Sequence, residues 1–140
     1  MKAFKDSTGL RASLENGIRI VTENVASTLG PKGRNVILHQ KGKNPIITKD
    51  GVTVARFIDL EDCFENAGAQ ILKQAAEKTN QEAGDGTTTT TVLAHAMYRD
   101  AQKYLMAGAP PMELKKGMEK GVDWLIKQVE AAATPIKSLD

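Results

Sequence analysis

The sequence predicts a mainly α-helical fold carrying one small β-hairpin, and three observations predict it. Apolar residues recur at three- and four-residue steps through four long segments, the spacing of one helix face. Two short β-branched runs are separated by a polar turn, which is the pattern of a hairpin. Glycine and proline gather at the joints between these segments, where they stop or turn the chain.

Size and composition agree with a folded chain. The 140 residues suit one domain, and at that length about two-thirds of the unfolded surface is buried on folding. Apolar residues at 41% and charged residues at 26% are near globular norms, so composition does not indicate disorder. The 19 basic and 17 acidic residues are interspersed, for a net charge of +2, so charge alone points to neither nucleic acid nor an anionic membrane. No apolar run reaches the ~18 residues of a membrane span, and no signal-peptide segment follows Met1 to Asp6, so the expected chain is not secreted. The lone Cys63 excludes an internal disulfide and is expected as a small packing residue; His39 and His95 are isolated and make no metal or catalytic cluster.

Residues 10–29 form the first helical stripe, with Leu10, Leu14, Ile18, Val21 and Val25 on one face, and Gly30-Pro31 stops it. The following loop, Thr28-Leu29-Gly30-Pro31-Lys32-Gly33-Arg34-Asn35, offers backbone and two cations to a polyphosphate, or is a glycine-proline helix exit with solvated basic residues. Asn35 to His39 and Pro45 to Lys49 are the two strands of the hairpin. Lys49-Asp50-Gly51 then puts a carboxylate beside a glycine at a strand end, a turn whose functional weight depends on what it meets in space.

Residues 59–66 carry four acidic groups and read as a solvated helix start that matches the helix dipole. The helix from about Asn66 to Ala83 is alanine-rich, with Gly68, Ile71, Leu72, Ala75, Ala76 and Thr79 expected on its packed side. From Thr88 to about Met106, Leu93, Met97, Ala101, Tyr104 and Leu105 form a further stripe, ended by Gly108-Ala109-Pro110-Pro111. The last helix, about Met112 to Ala133, is expected to turn Leu114, Met118, Val122, Leu125 and Val129 inward. No internal repeat is present.

The stretch around which the rest is organised is Ala83-Gly84-Asp85-Gly86-Thr87-Thr88-Thr89-Thr90-Thr91. Two glycines around one aspartate let backbone amides approach an anion, and the helix behind them presents N–H groups that lack intrahelical partners. Asp85 would repel bare phosphate, so its presence argues for a bridging hard cation, Mg²⁺, held by one carboxylate, phosphate oxygens and water. The competing reading is a glycine-capped turn with Thr87 or Asp85 as N-cap. The spacing is not that of a Walker A loop, and no Gly-x-Gly-x-x-Gly follows a strand. The two glycine-flanked carboxylates, Asp50 and Asp85, with the glycine-rich turns and hydroxyls, suit Mg²⁺-nucleotide binding with attack by water.

Four motifs in one order resemble the group I chaperonins, the GroEL type: Thr28 to Asn35; Thr48-Lys49-Asp50-Gly51-Val52-Thr53-Val54-Ala55; Phe64-Glu65-Asn66 with Gly68-Ala69-Gln70; and Ala83 to Thr89. The similarity runs from about residue 11 to 134 and includes Pro111-Met112-Glu113-Leu114-Lys115-Lys116-Gly117. The resemblance implies an incomplete long-helix bundle, the N-terminal part of an equatorial nucleotide-binding domain over residues 1–134, with the linker to an intermediate domain beginning at 135–140. It implies ATP and Mg²⁺ as ligands. Thr28, Leu29, Gly30 and Pro31 would wrap the nucleotide, Lys49 would lie beside the phosphates, and Asp85 would hold the metal. Gly86, Thr87, Thr88 and Thr89 would donate to phosphate oxygens, and Asp50 would help to position the γ-phosphate and the attacking water.

Family members are several times longer. The resemblance therefore places the principal water-activating aspartate, and the surfaces that grip unfolded polypeptides and a co-chaperonin, outside this sequence. It implies homo-oligomeric rings, a cytoplasmic or organelle-matrix location, and an ATPase whose turnover this 140-residue stretch alone largely lacks. The first nine residues lack the family's usual pattern around a phenylalanine-glycine. A different class of reading is a stand-alone, non-enzymatic module whose exposed apolar helix faces form an interface with partner proteins.

Overall fold

The computed structural model describes residues 5–135; part of the expected linker, residues 136–140, lies outside the described residues, as do residues 1–4. The element order is α1 (Ser7–Ala26), β1 (Val36–Leu38), β2 (Ile46–Thr48), α2 (Gly51–Phe57), α3 (Cys63–Ala83), α4 (Thr87–Met106) and α5 (Pro111–Ala132). The mainly helical fold with one small hairpin is as the sequence predicts. The chain divides into two compact units, Met1–Arg99 and Asp100–Asp140.

In the first unit, α1 begins where the Asp6 carboxylate accepts from the Gly9 amide at 2.7 Å. It ends at Ala26, three residues short of the expected end, because Ser27 and Thr28 turn their hydroxyls back onto the carbonyls of Asn24 and Val25 and satisfy the last turn. The hairpin is antiparallel, with Val36 opposite Thr48, Ile37 opposite Ile47 and Leu38 opposite Ile46. Leu38 is buried, whereas the cross-strand pair Ile37 and Ile47 faces outward.

The core joins Ile18, Val21 and Val25 of α1, Leu38 of β1, Val54 and Ala55 of α2, and Ala69 and Leu72 of α3. Each fully buried valine, such as Val21, contributes on the order of 1.5–3 kcal/mol. The crossing of α1 and α3 is set by two glycines. A Cβ on Gly17 would run into the Glu65 carbonyl, and one on Gly68 into the Leu14 carbonyl, so the two backbones touch.

On α3 the buried face runs through Gly68, Ala69, Leu72, Lys73 and Ala76, and Ile71 is exposed, contrary to the expected packed side. Lys73 takes that place because its amine reaches the end of α2, donating to the Arg56 carbonyl at 3.4 Å and to the Ile58 carbonyl. A cation is favoured there, since helix C-terminal carbonyls are unsatisfied and carry partial negative charge. Arg56 and Glu77 tie the same two helices with a 2.9 Å ion pair.

The start of α3 is capped by Asp62, which accepts from the Phe64 and Glu65 amides and from the Lys5 ammonium at 2.9 Å. Lys5 also donates to Ser13 and lies 5.0 Å above the Phe64 ring. The acidic stretch thus has a local use as a cap, as expected of a dipole-matched helix start. Cys63 is exposed in the first turn of α3, so the expected packing role is not the one it has.

The stripes expected to be core on the last two helices are not buried. Leu93, Met97 and Tyr104 of α4 are exposed, and Ala101 and Leu105 are only half-buried. In the second unit, no residue of α5 is buried: Val122, Leu125 and Val129, expected inward, are exposed with Trp124 and Ile126, while Leu114 and Met118 are half-buried. Helical periodicity marks a face suited to a partner, whether or not that partner lies within the same unit.

Candidate functional site

Three glycine-bearing turns open from neighbouring points of the first unit. The first follows α1. Arg34 N–H donates to the Ser27 carbonyl at 2.8 Å and Gly33 N–H to the Gly30 carbonyl at 3.0 Å, closing residues 27–34 into a loop. Gly30 has φ +71°, a left-handed conformation open to glycine at no steric cost, and Leu29, Gly30 and Pro31 are exposed. The Thr28 hydroxyl donates to Val25 at 2.7 Å, which leaves it as an acceptor toward any ligand.

The second turn joins β2 to α2. Lys49 is exposed, and Asp50 is the N-cap of α2. One Asp50 oxygen accepts from the Val52 amide at 3.3 Å; the other accepts from the Thr53 amide at 3.0 Å and from the Thr53 hydroxyl. These bonds, the Thr53 hydroxyl first, hold the carboxyl below the usual aspartate range against partial burial, with the Arg56 charge adding to them. A carboxylate has about four acceptor positions, so Asp50 stays ionised with about one to spare.

The third turn joins α3 to α4. Gly84 (φ +75°) closes α3 in the left-handed conformation, its amide donating to Asn80, and Gly86 (φ +86°) opens α4. Asp85 between them is exposed, and one of its oxygens accepts from the Gly86 amide at 2.6 Å. The first rung of the α4 ladder is Thr90 N–H to the Gly86 carbonyl, at 2.9 Å. The amides of Thr87, Thr88 and Thr89 therefore precede the ladder, at the positive end of the helix. The threonines divide by face: Thr87 and Thr91 are buried, the Thr91 hydroxyl donating to the Thr87 carbonyl, while Thr89 is exposed.

What brings the turns together is Gly51. A Cβ there would meet the Thr88 hydroxyl, and would stand 3.3 Å from Val25 Cγ1 and 3.4 Å from Thr88 Cβ. The last turn of α1, the first of α2 and the first of α4 thus share one point, and the loops carrying Thr28 to Pro31, Lys49-Asp50 and Gly84 to Thr89 all leave from it. Sequence reasoning named Gly51 only as the glycine beside Asp50 and gave it no part in the site, because the segments it meets, at Val25 and Thr88, are far from it along the chain.

The donor set is one that a phosphate with a hard cation would use: amides that precede the α4 ladder, left-handed glycines, and the Asp85 oxygens. Among the described residues there is no group of three or more His, Cys, Asp or Glu that could hold a metal alone. A cation here would take Asp85 as its protein ligand and the rest from phosphate and water. Also among the described residues, no helix is long and apolar enough to cross a membrane. The charge is less evenly spread than its total suggests, because no acidic residue occurs between Glu23 and Asp50, a span that holds Lys32, Arg34, Lys41, Lys43 and Lys49.

Comparison with known proteins adds to this geometry. Residues 21–140 match the sequence model of the TCP-1/cpn60 chaperonin family. The chain is similar to a group III chaperonin solved in the open state, with a TM-score of 0.78 and 27% identity over 94% of this chain and 26% of that one. It is also similar to the chaperonin gp146 from the bacteriophage EL 2 (Pseudomonas aeruginosa), solved in the presence of ATP-BeFx, with a TM-score of 0.74 and 32% identity over 91% of this chain and 22% of that one. The chain spans about a quarter of the length of these two structures.

Proposed function

The chain belongs to the TCP-1/cpn60 chaperonin family, and from that premise we propose that its three convergent turns are the phosphate-gripping part of a Mg²⁺·ATP site serving ATP-dependent protein folding. The observation that carries this reading is the contact of Gly51 with Val25 and Thr88, which gives the three motifs a common origin. The presence of ATP-BeFx with a relative of known structure supports it.

In this reading Gly86, Thr87, Thr88 and Thr89 donate to phosphate oxygens, chiefly through amides that precede the α4 ladder. Lys49 lies beside the phosphates, and Thr28 to Pro31 wrap the nucleotide. Asp85 holds Mg²⁺, which neutralises charge on the phosphoryl oxygens. Asp50 uses its remaining acceptor position to orient the γ-phosphate and the attacking water; most of its hydrogen-bonding capacity goes into α2. The motifs quoted above favour the group I type. With it come homo-oligomeric rings, unfolded polypeptide clients and a co-chaperonin bound through further domains, and a cytoplasmic or organelle-matrix location.

The test is calorimetric titration of ATP into the purified chain with and without Mg²⁺. Mg²⁺-dependent binding lost in Asp85→Ala is expected; binding indifferent to both the metal and Asp85 overturns the site. Turnover by this chain alone is expected to be small, and sustained hydrolysis that Asp85→Ala abolishes overturns that expectation.

A second reading is favoured by one observation, the exposure of Trp124, Leu125, Ile126 and Val129 on α5. Here the chain is a non-enzymatic module that packs its apolar helix against a partner protein. A folded chain that binds no nucleotide and self-associates through α5 would favour it.

A further inference from the structure

Behind the Gly84-Asp85-Gly86 turn, the Thr79 and Thr90 hydroxyl oxygens lie 3.1 Å apart and link the last turns of α3 to the first turn of α4. Thr79 Oγ1 is also 3.1 Å from the Ala75 carbonyl, which can only accept. A hydroxyl has one proton to give. If Thr79 gives its proton to Ala75, the bond between the threonines must be donated by Thr90, which makes a directed relay from Thr90 to Thr79 to the Ala75 carbonyl. The relay spans the turn, and the Thr79 methyl lies 3.8 Å from where a Gly86 Cβ would be.

We propose that Thr79 and Thr90 are a positioning pair for the anion-binding turn: their hydrogen bond fixes the α4 start against the α3 end and so aims the Thr87 to Thr89 amides at a bound phosphate. This rests on the nucleotide reading of that turn. Two positive-φ glycines in three residues give the turn no stiffness of its own. Within the described hydrogen bonds, the Thr79–Thr90 contact is the side-chain bond that closes across it.

The variants are Thr79→Val and Thr90→Val, which keep the branched shape and remove the hydroxyl, and the double variant. Titration of the full chain with Mg²⁺·ATP is expected to show each single change weakening binding by about three- to tenfold. The double variant should be no weaker than either single one, because both remove the same bond. Thr79→Ser, which returns the hydroxyl, should restore binding.

A merely structural role would lower the unfolding midpoint without changing affinity. Unchanged affinity, or losses that multiply in the double variant, overturns the proposal. Should the unaltered chain bind no Mg²⁺·ATP, the nucleotide reading fails separately. The pair is then read by hydrogen exchange at the Thr90 and Thr91 amides, the first of the α4 ladder. Equal acceleration in both single variants then upholds only that the pair fixes the α4 start, with its aim at a phosphate overturned, and unchanged exchange rejects both.

Discussion

Gly51 lies so close to Thr88 that a Cβ on the glycine would meet the threonine hydroxyl. That contact joins two helix starts separated by a long stretch of chain, and the positive ends of α2 and α4 are thereby brought to one place. A hydrogen atom is all that fits between them.

Gly51→Ala is therefore expected to destabilise the chain by about 1–3 kcal/mol, the usual result of overpacking, and to weaken Mg²⁺·ATP binding. The clash is with Thr88 Oγ1, and the remaining Thr88 Cβ contact of 3.4 Å is tolerable. Thr88→Ala in the same chain should recover the urea midpoint lost in Gly51→Ala. Failure to recover it would mean that Val25, not Thr88, sets the limit.

The glycines at the α1–α3 crossing make a contrast with those of α5. Alanine is the better helix former by about 1 kcal/mol, but at Gly17 its methyl would enter the Glu65 carbonyl, and backbone cannot rotate away. The clash should win, with a net loss of about 1–3 kcal/mol or more. At Gly121 nothing lies within 4 Å of the added carbon, so Gly121→Ala should stabilise α5 by about 0.5–1 kcal/mol. Circular dichroism melts of the two variants should move in opposite directions.

Asp50 gives the stability a pH dependence of known sign. Its native carboxyl titrates below the unfolded value of 3.8, so between those two values the unfolded chain binds more protons than the native one. The contribution is fully present above about pH 4 and is lost as pH falls through the native value. Asp62 is shifted in the same direction by the Glu65 amide and by Lys5. Asp50→Asn keeps the size of the cap and one of its two acceptor oxygens but has no titrating group, and urea unfolding of that variant at pH 6 and pH 3 should show a smaller fall than the parent chain does. An equal fall would mean that the Thr53 bonds do not distinguish charged from neutral Asp50.

Lys73 is a buried cation with two carbonyl partners at the α2 end. Lys73→Met preserves the stem and removes the ammonium, leaving those carbonyls short of a donor. A loss of about 1–3 kcal/mol is expected, measured by urea unfolding. Stability equal to that of the parent would show that water replaces the amine.

The Gly84-Asp85-Gly86 motif and the helix and hairpin periodicities marked the four long helices, the hairpin and the glycine turns, whereas α2, at seven residues, is too short to carry a periodicity and was not expected. Local signals carried that information: Asp6, Asp50 and Asp62 each precede a helix, Gly84 follows one, and β-branched runs flank a polar turn. These act within a few residues, so sequence neighbours suffice to read them. Lys73 and Ile71 show where such reading stops. Both fit a helix, and which of the two turns inward depends on the α2 carbonyls waiting there.

The sequence by itself thus determined the four long helices, the hairpin, the three candidate turns and the apolar faces of α4 and α5. Only the tertiary structure decided that Gly51, Val25 and Thr88 meet, that Gly17 and Gly68 let α1 and α3 touch, and that Trp124, Leu125 and Val129 remain uncovered. The physical reason is the range of the interactions. Capping and periodicity are set by bonds a few residues long, whereas a backbone contact between distant segments depends on the volume of every side chain packed between them.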